Sequence, residues 1–196
     1  EGNDSYDSQT IVAETPDGRV ADQIRRPVSR AEVTAGVAHA VTTSQTLRVE
    51  YQHRDEARRN LGVGDFSLAD RAFTREAGLH QVRASLDSVL GKAAFNELRV
   101  ELKAEDTAQR SASDDPAVTV IDAFTAGGAG VESDRALTSL ELANNTDFTI
   151  GKHVLRAGLR LEAGAYQLLD ARNANGTFTF GSLEAFRAGR PNTYTQ

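Results

Sequence analysis

Apolar and polar residues alternate with period two along several stretches of this chain. From Ala31 to Val41 one face reads Ala31, Val33, Ala35, Val37, His39 and Val41. Leu47, Val49 and Tyr51 likewise share a face, against Arg48, Glu50, Gln52 and Arg54. Further on, Leu98, Val100 and Leu102 oppose Glu97, Arg99, Glu101 and Lys103, and Leu155, Ala157, Leu159 and Leu161 oppose Arg156, Arg160 and Glu162. Alternation of this kind marks strands with one oily and one wet side. It predicts strands over residues 29–41, 46–54, 79–88, 96–104, 136–146 and 153–165. The stretch Leu79–Lys103 has a second reading, because Leu79, Val82, Leu86 and Val89 also fit one face of a helix and Ala93-Ala94 favours one. Gly91 and the alternation of Val100 and Leu102 favour a hairpin there. The first 22 residues read as turn-rich around a short strand at Thr10–Ala13, and Leu183–Ala188 as a short helix.

The connections alternate in length. Thr42–Gln45, Val89–Ala94 and Phe148–Lys152 are short, whereas 55–77, 106–134 and 166–196 are long and polar. In an up-and-down meander this puts every short turn on one rim and every long loop on the other. Outer-membrane barrels have that asymmetry, with long loops outside the cell. The expected fold class is therefore all-β: an antiparallel up-and-down meander forming part of a transmembrane outer-membrane β-barrel. A soluble antiparallel sheet shares the alternation, and the pattern alone leaves both open.

Composition narrows the field. Apolar residues make up 39% of 196 residues, with no run near the roughly 20 that a membrane helix needs. A barrel strand needs apolar side chains only at alternate positions. Cysteine is absent, which excludes a disulfide scaffold and a thiolate metal site. A formal charge of −6 argues against a nucleic-acid partner. The chain starts at Glu1 without Met or a targeting segment and ends at Gln196 without a capping element, so it reads as an excerpt of a longer protein.

Candidate chemistry is sparse. His39, His53, His80 and His153 lack metal-ligand spacing. The carboxylates Glu97 and Glu101, and Asp114 and Asp115, sit among other polar groups, whereas an acid–base pair needs one desolvated member. Gly127-Gly128-Ala129-Gly130 lacks the Lys-Ser/Thr ending of a phosphate loop and runs into the acidic Glu132 and Asp134, which points to a flexible loop. Ser44, Ser85 and Ser139 have no nucleophile elbow, and Asn144-Asn145-Thr146 and Asn175-Gly176-Thr177 match the glycosylation pattern as chance would. Neither catalytic, cofactor nor metal residues are expected. Arg48, Arg99, Arg156 and Arg160, interleaved with Glu50, Glu97, Glu101 and Glu162, would line a barrel lumen, either as a contact track for plug or ligand or as plain solvated wall. Phe66, Phe73, Phe124, Phe178 and Phe180 lie in the loops, where they would touch a ligand or pin the loops to the rim.

Three motifs carry a family resemblance. Gly151-Lys152-His153-Val154-Leu155-Arg156-Ala157-Gly158 resembles the GKHxLxxG stretch of large TonB-dependent receptors of the Oar-type, carboxypeptidase-regulatory-like branch. The run from Gly176 to Pro191, GTFTFGSLEAFRAGRP, is similar to that branch's GTFTFSSLxxFLAGxP loop, and Asn96-Glu97-Leu98-Arg99 to its NELR strand opening. The resemblance spans roughly Gln81 to Gln196; the first third matches only in style. With 6% aromatic residues and no Trp, the chain departs from the family's aromatic-rich strands, so an aromatic girdle is not carried over.

The resemblance implies a plugged barrel of about 22 strands, of which this chain would supply six or seven. It implies a non-enzymatic receptor in the cell outer membrane that takes up an unidentified ligand. Outer-membrane lipid would surround it, and a plug domain and TonB would act through parts of the parent not present here. Two alternatives stand beside it: a soluble extracellular all-β binding or adhesion domain, and an α+β enzyme with a helical Leu79–Lys103.

Overall fold

The computed structural model describes residues 2–196. Seven long strands run through the chain: β1 (Gly2–Thr15), β2 (Gly18–Thr42), β3 (Gln45–Leu61), β4 (Phe73–Leu90), β5 (Ala94–Ser111), β8 (Ser133–Ile150) and β9 (His153–Asp170). They are joined by four tight turns and by two longer loops, between β3 and β4 and between β5 and β8. Between and after them lie β6 (Ala117–Val120), β7 (Phe124–Ala126), β10 (Thr177–Phe180), the helix α1 (Leu183–Arg187) and β11 (Thr193–Thr195). The long strands form one antiparallel sheet in the order β1-β2-β3-β4-β5-β8-β9. The short ones form a second sheet, β11-β10-β6-β7, in which β10 and β6 are parallel.

The stretch Leu79–Lys103 is a hairpin, with Leu90 paired to Ala94 and Gly91 in the turn at φ 68°. The helical spacing there was coincidental, because in the pleat Val82 and Leu86 face one side while Leu79 and Val89 face the other. The α+β reading with a helix at that place is thereby corrected.

The strands run well past the ends that alternation suggests. Loop 55–77 shrinks to 62–72, 106–134 to 112–132 and 166–196 to 171–196, while β2 starts at Gly18 rather than residue 29 and β1 is one continuous strand. In the outer segments of β3, β5 and β8 (55–61, 105–111 and 133–135) polar residues dominate both faces, so the period-two contrast vanishes although the backbone ladder continues. Cross-strand ion pairs replace it: Arg30 with Glu56, and Arg110 with Asp134.

The turns 43–44, 91–93 and 151–152 share one rim. The opposite rim carries the loops 62–72, 112–132 and 171–196. It also carries the β1–β2 hairpin, which projects beyond β3 because β3 pairs with β2 only from Val28 onwards. The short-strand sheet packs against this projecting hairpin and forms a crown. Here lies the one cluster of buried apolar residues among those described: Ile11, Ala13, Val120, Ala123, Phe124 and Phe180, with Phe178, Leu183 and Phe186 packed on it. Backbone hydrogen bonds fasten the crown to β1, from the Val12 N–H to the Asp65 carbonyl (2.8 Å) and from the Glu14 N–H to the Ala123 carbonyl (3.2 Å). Ser182 caps α1 by accepting from the Ala185 N–H.

Nothing comparable covers the long sheet. Every residue of β9 is exposed, and Leu102 on the interior strand β5 keeps 51% of its surface. No helix among the described residues is long and apolar enough to cross a membrane.

Candidate functional site: a two-faced sheet beneath a loop crown

Because directly paired residues of an antiparallel sheet share a face, the register assigns every side chain to one side. One face is apolar across six strands. Its rows, crossing from β2 to β9, are His39-Leu47-Leu86-Leu98-Asn144-Leu159, then Val37-Val49-Ala84-Val100-Leu142-Leu161, then Ala35-Tyr51-Val82-Leu102-Leu140-Ala163. Nearer the short turns, Leu90, Ala94, Phe148 and Leu155 form another apolar row. Between them Ser88, Asn96 and Thr146 interrupt the band, and their polar groups are satisfied locally: Asn96 Nδ2 donates to Thr146 Oγ1 (2.7 Å) and to Asn144 Oδ1 (3.1 Å). From Ala94 to Leu102 the band covers eight residue steps along β5. At about 3.4 Å per residue and a tilt of about 40° this is about 21 Å along the normal, near the apolar height of an outer-membrane barrel.

The other face is charged, and the charges lie in layers. Arg48, Arg99 and Arg160 occupy one row. The row above holds Glu50, Arg83, Glu101, Glu141 and Glu162, and the row below Asp87 and Glu97. Layers of opposite sign pair with one another. Arg48 meets Asp87, Arg99 meets Glu97 at 2.7 Å, Arg83 bridges to Glu101 at 2.7 Å and Glu50 at 3.7 Å, Arg160 meets Glu141 at 2.9 Å, and Arg156 meets Asp147 at 2.6 Å. All eight residues of the expected ladder fall on this face. The acids Asp87, Glu141 and Asp147 and the base Arg83 escaped sequence reasoning, because their partners are set by register between strands rather than by spacing along one. Each pair is solvent-exposed, worth about 0–1 kcal/mol, so the ladder shapes the surface more than it stabilises it.

The histidines divide. His39 and His153 lie near the short-turn rim, but the register brings His53 and His80 directly opposite each other on the apolar side, just above Tyr51. Their rings stack at 4.4 Å between centroids. His53 Nε2 lies 2.6 Å from Asp55, His80 Nδ1 lies 2.9 Å from the Tyr51 hydroxyl, and His53 Nδ1 is buried without a partner. No group of three or more His, Asp or Glu side chains among the described residues is placed to hold a metal ion.

The remaining candidates are absorbed by structure. The glycine loop is pinned rather than free: the Gly127 N–H donates to Asp70 (2.7 Å), Ala129 N–H donates to Ser111 Oγ (2.7 Å), and Arg71 donates to the carbonyls of Gly128 and Ala129. A carboxylate thus occupies the amide that a phosphate would need. Gly127 sits at φ 78°, and a Cβ there would run into the Pro116 carbonyl, so no other residue fits. Asp115 accepts from Ser113, and Asn144 is engaged with Asn96. Phe124 and Phe180 are core, each edge-on to Phe186, and Phe178 lies against Tyr194. Phe66 is 51% exposed on the crown.

At the outer end of β9, Arg172 holds the Asp170 carboxylate with Nε at 2.8 Å and its backbone N–H at 3.1 Å, drawing the carboxyl down from 3.8 to about 2. The sign follows directly. A depressed folded-state value stabilises the loop above the ordinary carboxylate range, and that contribution is lost as pH falls through about 2. An NMR titration of the Asp170 carboxyl carbon is expected to show this low midpoint, and Arg172→Gln to return it towards 3.8.

No protein-family model matches the chain, and no curated protein is similar to it.

Proposed function

We propose that this chain is a segment of an outer-membrane β-barrel of the TonB-dependent receptor type, serving ligand binding and uptake across the outer membrane. The observation that carries this reading is an apolar band, interrupted by the row Ser88-Asn96-Thr146, over which no protein layer lies among the described residues, backed by a face of layered charge. A sandwich buries such a band against a second sheet. Lipid covers it equally well, and the band's height of about 21 Å suits a bilayer. The charged face then lines the lumen, where a plug would slide against it, and the crown stands on the extracellular rim as the surface that first meets ligand. The receptor type itself rests on the resemblance of the motifs. Gly151-Lys152-His153 makes the tight turn into β9, and Gly176–Pro191 builds β10 and α1 of the crown. The role is non-enzymatic: lipid, plug, TonB and ligand are the partners, the cell outer membrane the location.

Strand direction supports closure by further strands. The edges β1 and β9 both run towards the crown, so joining them directly would make a parallel pair. A meander barrel closes through an antiparallel seam, which takes an odd number of additional strands.

The test is flotation with dilauroylphosphatidylcholine vesicles, with circular dichroism on the same samples. The chain is expected to float with lipid and to show its strand spectrum only in lipid or detergent. A strand-rich, monomeric chain that stays in the aqueous fraction would overturn the membrane reading in favour of a soluble all-β binding domain.

A further inference from the structure

We propose that the charged face carries an oxyanion-binding site just beneath the crown, formed by Arg75 of β4 and Arg135 of β8 across Thr107 and Gln109 of β5, for a ligand bearing a phosphate or carboxylate group. The proposal deepens the uptake reading by assigning a chemical class to its ligand.

A cavity of about 340 Å³ lies at this level, lined among others by Arg54, Glu56, Arg75, Glu105, Thr107 and Arg135. Of its acids, Glu56 and Glu105 are already engaged, and Asp106, one residue from both Glu105 and Thr107, turns its carboxylate to the opposite face of the sheet beside Gly78. Glu56 is held by both Arg30 and Arg58, and Glu105 by Lys103 at 2.9 Å. Arg54 in turn is bound to Glu32 at 3.1 Å. That leaves two cations. Among the described residues neither Arg75 nor Arg135 has a carboxylate within ion-pair distance; Arg135 rests its guanidinium 5.5 Å from the Tyr166 ring of β9, a contact weaker than an ion pair that an anion on the β5 side would displace. Everywhere lower on this face each arginine has its acid, so the two unneutralised ones stand out against the layered pairing.

Arg75 is also paired directly across the ladder with Arg58. Like charges opposed in a sheet are destabilising, and an anion between or beside them reverses the sign of that interaction. The register supplies the rest. Arg75 is paired with Gln109 and Arg135 with Thr107, so the two arginines flank β5 with an amide and a hydroxyl between them, and neither of those side chains has a hydrogen-bond partner among the described residues. Two strand spacings and a two-residue offset separate the arginine backbones by about 12 Å. That is within the combined reach of two extended side chains converging on one oxyanion. Guanidinium forks bind phosphate and carboxylate bidentately, and this pair lies above the apolar band, where a ligand leaving the crown would first enter the lumen.

Calorimetric titration of the detergent-solubilised chain with inorganic phosphate, and separately with citrate, at constant ionic strength in chloride tests the site. Saturable binding of one anion is expected and identifies the group: phosphate alone assigns a phosphorylated ligand, citrate alone a carboxylate. Arg75→Gln with Arg135→Gln is expected to weaken it by about tenfold or more, the loss of two charge-assisted contacts. Arg83→Gln, on an already paired arginine, should leave affinity unchanged, and Arg75→Lys, which keeps charge and strand, should lower it less than Arg75→Gln. Binding of neither anion, or binding that the Arg75 and Arg135 changes leave intact, overturns the proposal. Failure of the membrane reading would appear in the flotation assay instead, so the two are separable.

Discussion

Leu98→Arg is expected to lower the stability of the chain in lipid vesicles by about 2–4 kcal/mol, the cost of an arginine on the lipid face near the middle of a barrel's apolar band. Leu98 sits in the middle row of that band, between Leu86 and Asn144. Its chain neighbour provides the control. Arg99 points to the opposite face and pairs with Glu97 in solvent, so Arg99→Leu should change stability by no more than about 1 kcal/mol. Urea unfolding in dilauroylphosphatidylcholine vesicles, followed by circular dichroism, measures both. One residue step therefore separates a large effect from a small one, which a lipid-facing sheet demands. A soluble sheet with Leu98 half in water would tolerate the arginine, and equal midpoints for the two variants would count against lipid contact.

The second large effect belongs to the crown. Phe124 is 3% exposed and packs edge-on against Phe186, 5.3 Å between ring centroids. Truncating a buried phenylalanine to alanine costs about 3–5 kcal/mol. The crown's core has six buried members among the described residues, so Phe124→Ala is expected to detach the short-strand sheet from the β1–β2 hairpin. Hydrogen exchange reads this locally. The Val12 and Glu14 amides, bonded to Asp65 and Ala123, should lose protection, whereas amides in the middle of β4 and β5 should keep theirs. Uniform loss along the long sheet would mean that crown and sheet unfold as one unit, contrary to the sparse contact between them. In the uptake reading this matters for function, because the crown's separate core lets it present Phe66 and Tyr194 on a surface held independently of the wall.

The alternation of Ala35 with Val37, and of Leu98 with Val100 and Leu102, was sufficient to determine that the chain is all-β, that it folds as a meander, and which side of each strand is oily. The tight turns at residues 43–44, 91–93 and 151–152 were legible for the same reason: charge and apolarity change places with period two right up to them. Strand ends were not legible where both faces are polar, as at Glu56, Arg110 and Asp134, since nothing in a charged stretch distinguishes a ladder from a loop. Nor was the crown. Ile11, Val120, Phe124 and Phe180 lie far apart in sequence, and the short strands that carry them show no period long enough to read. The pairing of His53 with His80, the engagement of Arg48, Arg83, Arg156 and Arg160 by acids on the next strand, and the two arginines of the charged face left over at 75 and 135 were decided by tertiary structure alone. The physical reason is the same in each case. Periodicity along one strand encodes which way a side chain points, whereas its partner is fixed by the register between strands, a relation between residues about 10 to 60 positions apart that no local pattern contains.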